Sequence, residues 1–254
     1  MERYGLIGRS LGHSRSPELF APIFAREGLT RAGYTLFELE RVEDLPALIA
    51  AHPDLRGLNV TIPYKQAVVP LLHGLSAEAA AVGAVNSIRI QEGRWLGHNT
   101  DIDGFRALVD PHLRDLSAQG GAVRPRALVL GSGGASRAVA YVLRELGVRF
   151  RVVSRSRERG DLLWEQVDRT VLGVCRLIVN TTPLGMWPRV DEAPTLPYEA
   201  LTDRHHLIDL VYNPEDTLFM QRGRMAGATV ENGLVMLRAQ AEAAWRWWHD
   251  PPAG

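Results

Sequence analysis

Along the chain, apolar residues switch repeatedly between the two-residue period of a strand and the longer period of a helix. RYGLIG, YTLFELE and RGLNVTI predict strands, separated by PELFAPIFAREGL and VEDLPALIAAH, whose apolar positions recur at helical spacing. A further helix is predicted from about Pro63. This βαβα order predicts helices covering a mostly parallel sheet. The texture changes near Asn99, where NTDIDGFRALVDPHLRDL reads as a capped helix and SAQGGAVRP as a turn-rich linker. RALVL then predicts a buried strand, GSGGASRAVAYVLRELG a glycine turn with a helix ending at Gly147, and VRFRVV a second strand. CRLIVN and HLIDLVY predict further strands, TLFMQRGRMAG a helix, ATVE a short extended run, and GLVMLRAQAEAAWRWWHD a closing helix. The expected fold is α/β, with two lobes joined near residue 101 and a ligand in the cleft between them.

Composition narrows the class of partner. Lys+Arg 29 equals Asp+Glu 29, so no overall field recruits nucleic acid or an anionic bilayer. Hydrophobic residues at 46% with charged residues at 23% exclude extended disorder. The lone cysteine, Cys175, cannot form an intramolecular disulfide and reads as a small buried hydrophobe within CRLIVN. No stretch approaches the roughly 18 apolar residues of a membrane helix, and MERYGLIG lacks the basic and apolar regions of a signal peptide. The expected location is the cytoplasm.

The glycine turn is the first chemical signal. Gly131, Gly133 and Ser136 follow a strand and open a helix in the form GxGxxS, with a further glycine at Gly134. Such a turn lets backbone approach a pyrophosphate and aims helix amides at the anion. An NAD site places an acidic residue at the end of the second strand, about 20 residues on. Here that strand ends in Ser154, Arg155 and Ser156, with Arg157 and Arg159 behind. Guanidinium groups with flanking hydroxyls suit a ribose 2′-phosphate, which predicts NADP(H) over NAD(H). A solvated basic loop is the plainer alternative.

The first lobe carries a second group of motifs. HSRSP sets Ser14 and Ser16 before an apolar helix, where Ser16 ahead of Pro17 fits an N-cap equally well. In NVTIPYK, Lys65 stands at a predicted helix start, where the macrodipole disfavours a cation and would lower its pKa. GAVNS and GHNTD add Asn86, Asn99 and Asp101, the last of which also fits a helix cap.

Taken together and in this order, the motifs resemble the shikimate dehydrogenase family across nearly the whole chain. HSRSP resembles its substrate hydroxyl motif, NVTIPYK its lysine motif, and GAVNS with NTD its asparagine and aspartate motifs. GSGGASRA resembles its diphosphate loop, SRSRER its NADP-selecting Asn-Arg-Thr-x-x-Arg loop, NTTPLGM its nicotinamide-side turn, and NGLVMLRAQ its closing helix. The resemblance implies a substrate domain over 1–101 completed by helix 233–254, and a Rossmann-like NADP domain over 102–232. It implies Ser14, Ser16, Asn59, Thr61, Lys65, Asn86, Asp101 and Gln240 around the substrate, with Tyr212 closing from the second lobe. For the cofactor it implies Gly131, Ser132, Gly133, Gly134, Ala135, Ser136, Ser154, Arg155, Ser156, Arg159, Thr181, Thr182, Leu210, Gly233 and Met236. The family reaction is the reversible reduction of 3-dehydroshikimate to shikimate by NADPH. In it Lys65 would donate a proton to the carbonyl oxygen, while Asp101 would bind a ring hydroxyl and hold the lysine. No metal is expected, because an ammonium can stabilise the developing alkoxide.

His13 and His98 are expected to be structural, since lysine already fills the acid/base role. Trp245, Trp247 and Trp248 are expected to pack rather than bind. The chain departs from the family pattern at His98, Ser154, Ser156 and Pro183, and is short between SRSRER and CRLIVN, where DLLWEQV leaves space for only an abbreviated helix and strand. A quinate/shikimate dehydrogenase is the nearest competing reading, and a catalytically silent dinucleotide or metabolite sensor a more distant one. Retention of Lys65 and Asp101 argues against the sensor, which has no need of a proton donor. The expected assembly is a monomer or homodimer.

Overall fold

In the computed structural model, which describes residues 2–12, 14–120 and 125–249, the apolar runs become two six-stranded sheets in two units. One unit is Met1–Asp101 with Arg238–Gly254 and the other is Ile102–Leu237.

The first unit runs β1 (Glu2–Gly8), α1 (Ser16–Arg26), β2 (Ala32–Glu38), α2 (Leu45–Ala51), β3 (Leu55–Val60), α3 (Tyr64–Ala67), β4 (Gly74–Leu75), α4 (Ala77–Val82), β5 (Ser87–Gln91) and β6 (Arg94–His98). The strand order is β2-β1-β3-β5-β6-β4. β1 pairs parallel with β2 and β3, and β4 with β6, whereas β5 is antiparallel to both β3 and β6. The sheet is therefore mixed, and its antiparallel part comes from a hairpin that the helix and strand alternation did not predict. Its turn is Glu92-Gly93, with φ of 51° and 72°, the left-handed pair whose twist matches that of the flanking strands.

Two segments differ from expectation. The helix predicted from Pro63 is a single turn, α3, followed by a 3-10 turn at Val69–Leu71. One turn aligns too few peptide dipoles for the macrodipole argument made for Lys65. Ser16 is the first residue of α1, not its cap: Arg15 stands at the cap position and no side chain closes it.

Ile7, Leu45, Leu55, Leu58, Val60, Val68, Val85 and Ile88 form one core of this unit. The other joins Tyr4, Phe20, Ile23 and Phe24 to Ala241, Ala244, Trp245 and Trp248 of α9 (Leu234–His249). Gly57 lies beneath Trp248, where a Cβ would collide with the indole. Trp247 is held between the Arg89 guanidinium, 4.7 Å from the ring centre, and the stacked imidazole of His98, also at 4.7 Å. The tryptophans and His98 thus pack, as expected; His13 lies outside the described residues.

The second unit begins in α5 (Asp101–Gly120) and continues through β7 (Arg126–Leu130), α6 (Gly134–Glu145), β8 (Arg149–Ser154), β9 (Leu162–Leu163), α7 (Arg169–Val174), β10 (Cys175–Asn180), β11 (His206–Asp209), α8 (Leu218–Met225) and β12 (Thr229–Glu231). Every pairing in its sheet, β12-β11-β10-β7-β8-β9, is parallel. α5 tolerates Pro111 in its interior and continues through SAQG, expected as linker, because Leu116 just before it is buried and no proline or glycine lies between Pro111 and Gly120; residues 121–124 lie outside the described set. No helix bridges β8 and β9, and α7 has six residues, the abbreviation expected from the short sequence. Cys175 is buried, which pushes its thiol up and leaves it inert. Among the described residues no helix is long and apolar enough to cross a membrane.

Candidate active site

Lys65 is presented by a turn with several anchors. After β3, the Thr61 N–H donates to Ile7 O at 2.9 Å, and the buried Tyr64 donates its hydroxyl proton to Leu39 O at 2.5 Å. The Val85 N–H then bonds Lys65 O at 2.7 Å, tying the turn to the GAVNS segment. From this support Lys65 Nζ meets Asp101 Oδ2 at 2.6 Å. The lysine side chain is 18% exposed and the aspartate side chain 2%, so of the pair only the lysine keeps appreciable exposure.

Asp101 opens α5, where the helix dipole favours its negative charge. It is not simply a cap, because Asn99 Oδ1 takes the Asp101 N–H at 3.1 Å and leaves both carboxylate oxygens for side chains. Asn86 Nδ2 donates to Oδ1 at 2.8 Å. Asn86 Oδ1 in turn accepts from Thr100 N at 2.7 Å, which fixes the orientation of the amide. A buried carboxylate with a cation and an amide donor is paired and hydrogen-bonded, the condition for burying its charge.

The same unit carries most of the other residues expected around a substrate. Ser14 Oγ donates to Ser16 Oγ at 3.1 Å, and Asn59 Nδ2 donates to Asn86 O at 3.2 Å. Thr61 is partly buried just after β3, and Gln240 is partly buried on α9. Tyr212 and the glycine turn belong to the other unit.

In that unit, Gly131 has φ of +105°, and a Cβ there would lie 2.8 Å from Thr181 Oγ1, so only glycine makes this turn. A Cβ on Gly133 would meet nothing within 4 Å, which leaves open space over the turn. Gly134 and Ala135 begin α6, and the buried Ser136 donates to Gly133 O at 2.7 Å, so the third motif position braces the turn. Ser132 and Ser154 share a hydroxyl hydrogen bond at 3.0 Å, joining the glycine turn to the end of β8. Ser156 N donates to Ser154 Oγ at 3.3 Å and Arg159 Nη2 to Ser132 O at 3.4 Å, while Arg155 is exposed beside them.

The neighbouring strand ends carry Thr181, Thr182 and Leu210. Thr181 Oγ1 donates to Leu130 O at 2.7 Å, and Thr182 Oγ1 to Asn180 Oδ1 at 2.6 Å. Asn180 Nδ2 reaches Asp209 Oδ1 at 2.9 Å, and Thr217 Oγ1 donates to Asp209 Oδ2 at 2.6 Å. Burial pushes Asp209 up to about 6, against the opposing pull of Thr217, Val211 and Asn180. Gly233 packs on Leu210 and donates its N–H to Val211 O at 3.1 Å, with Met236 buried in the next turn. Sequence reasoning missed Tyr34, Thr100, Asn180 and Asp209. Thr100 lay within NTD and Asn180 at the head of NTTPLGM, but Tyr34 and Asp209 stood inside strands that read only as apolar runs.

Comparison with known proteins bears on the whole chain. The family model for the shikimate dehydrogenase substrate binding domain matches residues 6–88. A shikimate dehydrogenase (NADP(+)) of Clostridium beijerinckii is 36% identical over 98% of this chain and 93% of its own length. The crystal structure of shikimate 5-dehydrogenase from Thermus thermophilus in complex with NADP(H) and shikimate superposes with a TM-score of 0.81 at 33% identity, covering 99% of this chain and 94% of that one. A quinate dehydrogenase from Corynebacterium glutamicum in complex with NAD gives a TM-score of 0.81 at 29% identity, covering 98% of this chain and 94% of its own. Likeness of this degree over almost the entire length, around a lysine and aspartate pair and a glycine turn, makes the chain a member of the shikimate dehydrogenase family.

Proposed function

We propose that this chain catalyses the reversible, NADP-dependent interconversion of 3-dehydroshikimate and shikimate. The observation that carries the reading is the 2.6 Å pair of Lys65 and Asp101, in which the aspartate is buried and the lysine side chain partly exposed. Lys65 Nζ holds the proton that passes to the carbonyl oxygen during reduction, and takes it back during oxidation. An ammonium at that point stabilises the oxyanion as it develops, so its effect falls mainly on the transition state. Asp101, oriented by Asn86, keeps Lys65 in place and offers its carboxylate to an adjacent ring hydroxyl. Ser14 and Ser16 supply hydroxyl donors for the substrate carboxylate, and Asn59, Thr61, Asn86, Gln240 and Tyr212 supply donors and acceptors for its remaining oxygens and faces.

The cofactor donor set is also in keeping with this reading. The open space over Gly133, which lacks a side chain, and the N-terminus of the twelve-residue α6 suit a diphosphate. Gly131, Ser132, Gly134, Ala135 and Ser136 form that turn; Ser154, Arg155, Ser156 and Arg159 would hold a ribose 2′-phosphate. Thr181, Thr182, Leu210, Gly233 and Met236 would flank the nicotinamide. Bound NADPH is a source of hydride, a chemistry no side chain here possesses.

The quinate dehydrogenase relative marks the nearest alternative. Serine at both 14 and 16, and arginine in place of a carboxylate after Ser154, favour shikimate and NADP. Cytoplasmic work as a monomer or homodimer is part of the proposal, supported by a single buried cysteine that needs no oxidising compartment. The test is the near-ultraviolet absorbance of reduced nicotinamide formed from each pairing of shikimate or quinate with NADP or NAD. Shikimate with NADP should give the highest kcat/KM; a preference for quinate with NAD would overturn the reading.

A further inference from the structure

Tyr34 belongs to none of the motifs, yet its hydroxyl lies between two groups of them. The residue sits in β2 opposite Tyr4 of β1 and is partly buried. Its ring stacks on Phe20 of α1 with centres 4.6 Å apart, and Phe20 stacks in turn on Trp248 of α9 at 5.2 Å. The aromatic stack fixes where the phenol points. Its hydroxyl donates to Asn59 Oδ1 at 2.8 Å, and the Ser16 hydroxyl is a second hydrogen-bonding neighbour.

Two polar arms therefore meet at one oxygen. On one side Ser16 receives the Ser14 hydroxyl at 3.1 Å. On the other, Asn59 bonds Asn86 O, and Asn86 bonds Asp101, the partner of Lys65. Burial raises the phenol well above the usual tyrosine range, so it remains protonated at neutral pH. A phenol has one proton to give. Given to Asn59 Oδ1, it holds that amide with Nδ2 toward Asn86 and leaves the phenol oxygen as the acceptor facing Ser16. Held by this bond, Ser16 is already in its rotamer when a carboxylate arrives and hands its one proton over from the phenol oxygen to the carboxylate, so the side chain needs no ordering at that moment, and preorganisation of this kind lowers the cost of binding.

We propose that Tyr34 is a positioning residue for substrate, locking Ser16 and Asn59 in register so that the carboxylate end and the ring-oxygen end of one molecule are held together. The proposal rests on the placement of Ser14, Ser16 and Asn59 around shikimate given above.

Tyr34→Phe removes one oxygen and retains the ring that stacks on Phe20. The expected result is a rise of about tenfold in KM for shikimate, with kcat changed less than about threefold and KM for NADP unchanged. In a Ser16→Ala background the same substitution should cost markedly less than it does alone, because the partner it positions is already gone. A shikimate KM equal to that of the unmodified enzyme would overturn the proposal, as would single-variant effects that simply multiply in the double variant. Loss of folding in Tyr34→Phe would assign the hydroxyl to stability and overturn it too. Absence of shikimate turnover by the unmodified protein is a different failure: it removes the proposed function, and the proposal with it.

Discussion

The Asn86 side chain donates to Asp101 Oδ1 at 2.8 Å, the carboxylate oxygen that Lys65 does not use. Because Thr100 N donates to the opposite end of the same amide at 2.7 Å, Asn86 cannot turn over without breaking both contacts. Asn86→Ala should therefore lower kcat for shikimate by about 10- to 100-fold and reduce stability by about 1–3 kcal/mol, since a buried N–H and a buried carboxylate oxygen each lose a partner. Steady-state kinetics and denaturant unfolding measure the two parts separately. Unchanged kcat would mean that the lysine alone orients the carboxylate.

Cofactor choice is expected to depend on the loop after β8. Each guanidinium contact to a phosphate is a charge-assisted hydrogen bond of about 1.5–3 kcal/mol, so losing one should cost about 10- to 100-fold. Arg155→Asp adds repulsion to that loss. The ratio of kcat/KM for NADP to that for NAD should fall by at least the same factor, with the NAD value little changed. Equal use of both cofactors by the unmodified protein would instead make Arg155 and Arg159 a solvated basic loop.

Asp209 gives the fold a pH dependence of defined sign. Its folded value of about 6 lies above its ordinary value of 3.8, so the unfolded chain releases this proton first. Asp209 therefore favours the folded state fully below about pH 4, and that contribution is lost as pH rises through about 6, a change of about 3 kcal/mol. Asp209→Asn has no proton to lose. The unfolding free energy at pH 4 minus that at pH 7 should be lower in that variant than in the unmodified protein, by up to about 3 kcal/mol, and an identical difference would contradict the burial argument.

Much of this organisation was readable because local pattern and tertiary role coincide. The apolar runs RALVL and CRLIVN are buried strands in a parallel sheet, and the first glycine of GSGGAS is required by the positive φ at Gly131 and by its close approach to Thr181. Lys65 and Asp101 are legible through their motifs, but a helix-dipole role for Lys65 is not supported, since the helix at Pro63 is a single turn that ends ahead of Pro70, which lacks an N–H and disfavours helical backbone at the residue before it. The hairpin through Glu92-Gly93 was missed although SIRIQ and RWLGH flank a glycine, because its turn uses glutamate at a left-handed position where asparagine or glycine is the usual signal. Tyr34 and Asp209 were invisible for another reason. Each acts through side-chain partners at least eight residues away, Asn59 for the one, and Asn180 and Thr217 for the other. Period and spacing carry no information on such pairs.

The central claim, that Lys65 transfers the proton in shikimate oxidation, is tested most directly by the kcat of Lys65→Ala with saturating shikimate and NADP, alongside the shikimate Kd of the same variant. General acid/base groups of this kind contribute about 10²- to 10⁴-fold, so kcat should fall by that factor while Kd stays within about threefold. A variant with near-normal kcat and a much weaker Kd would contradict the claim and reduce Lys65 to a binding contact.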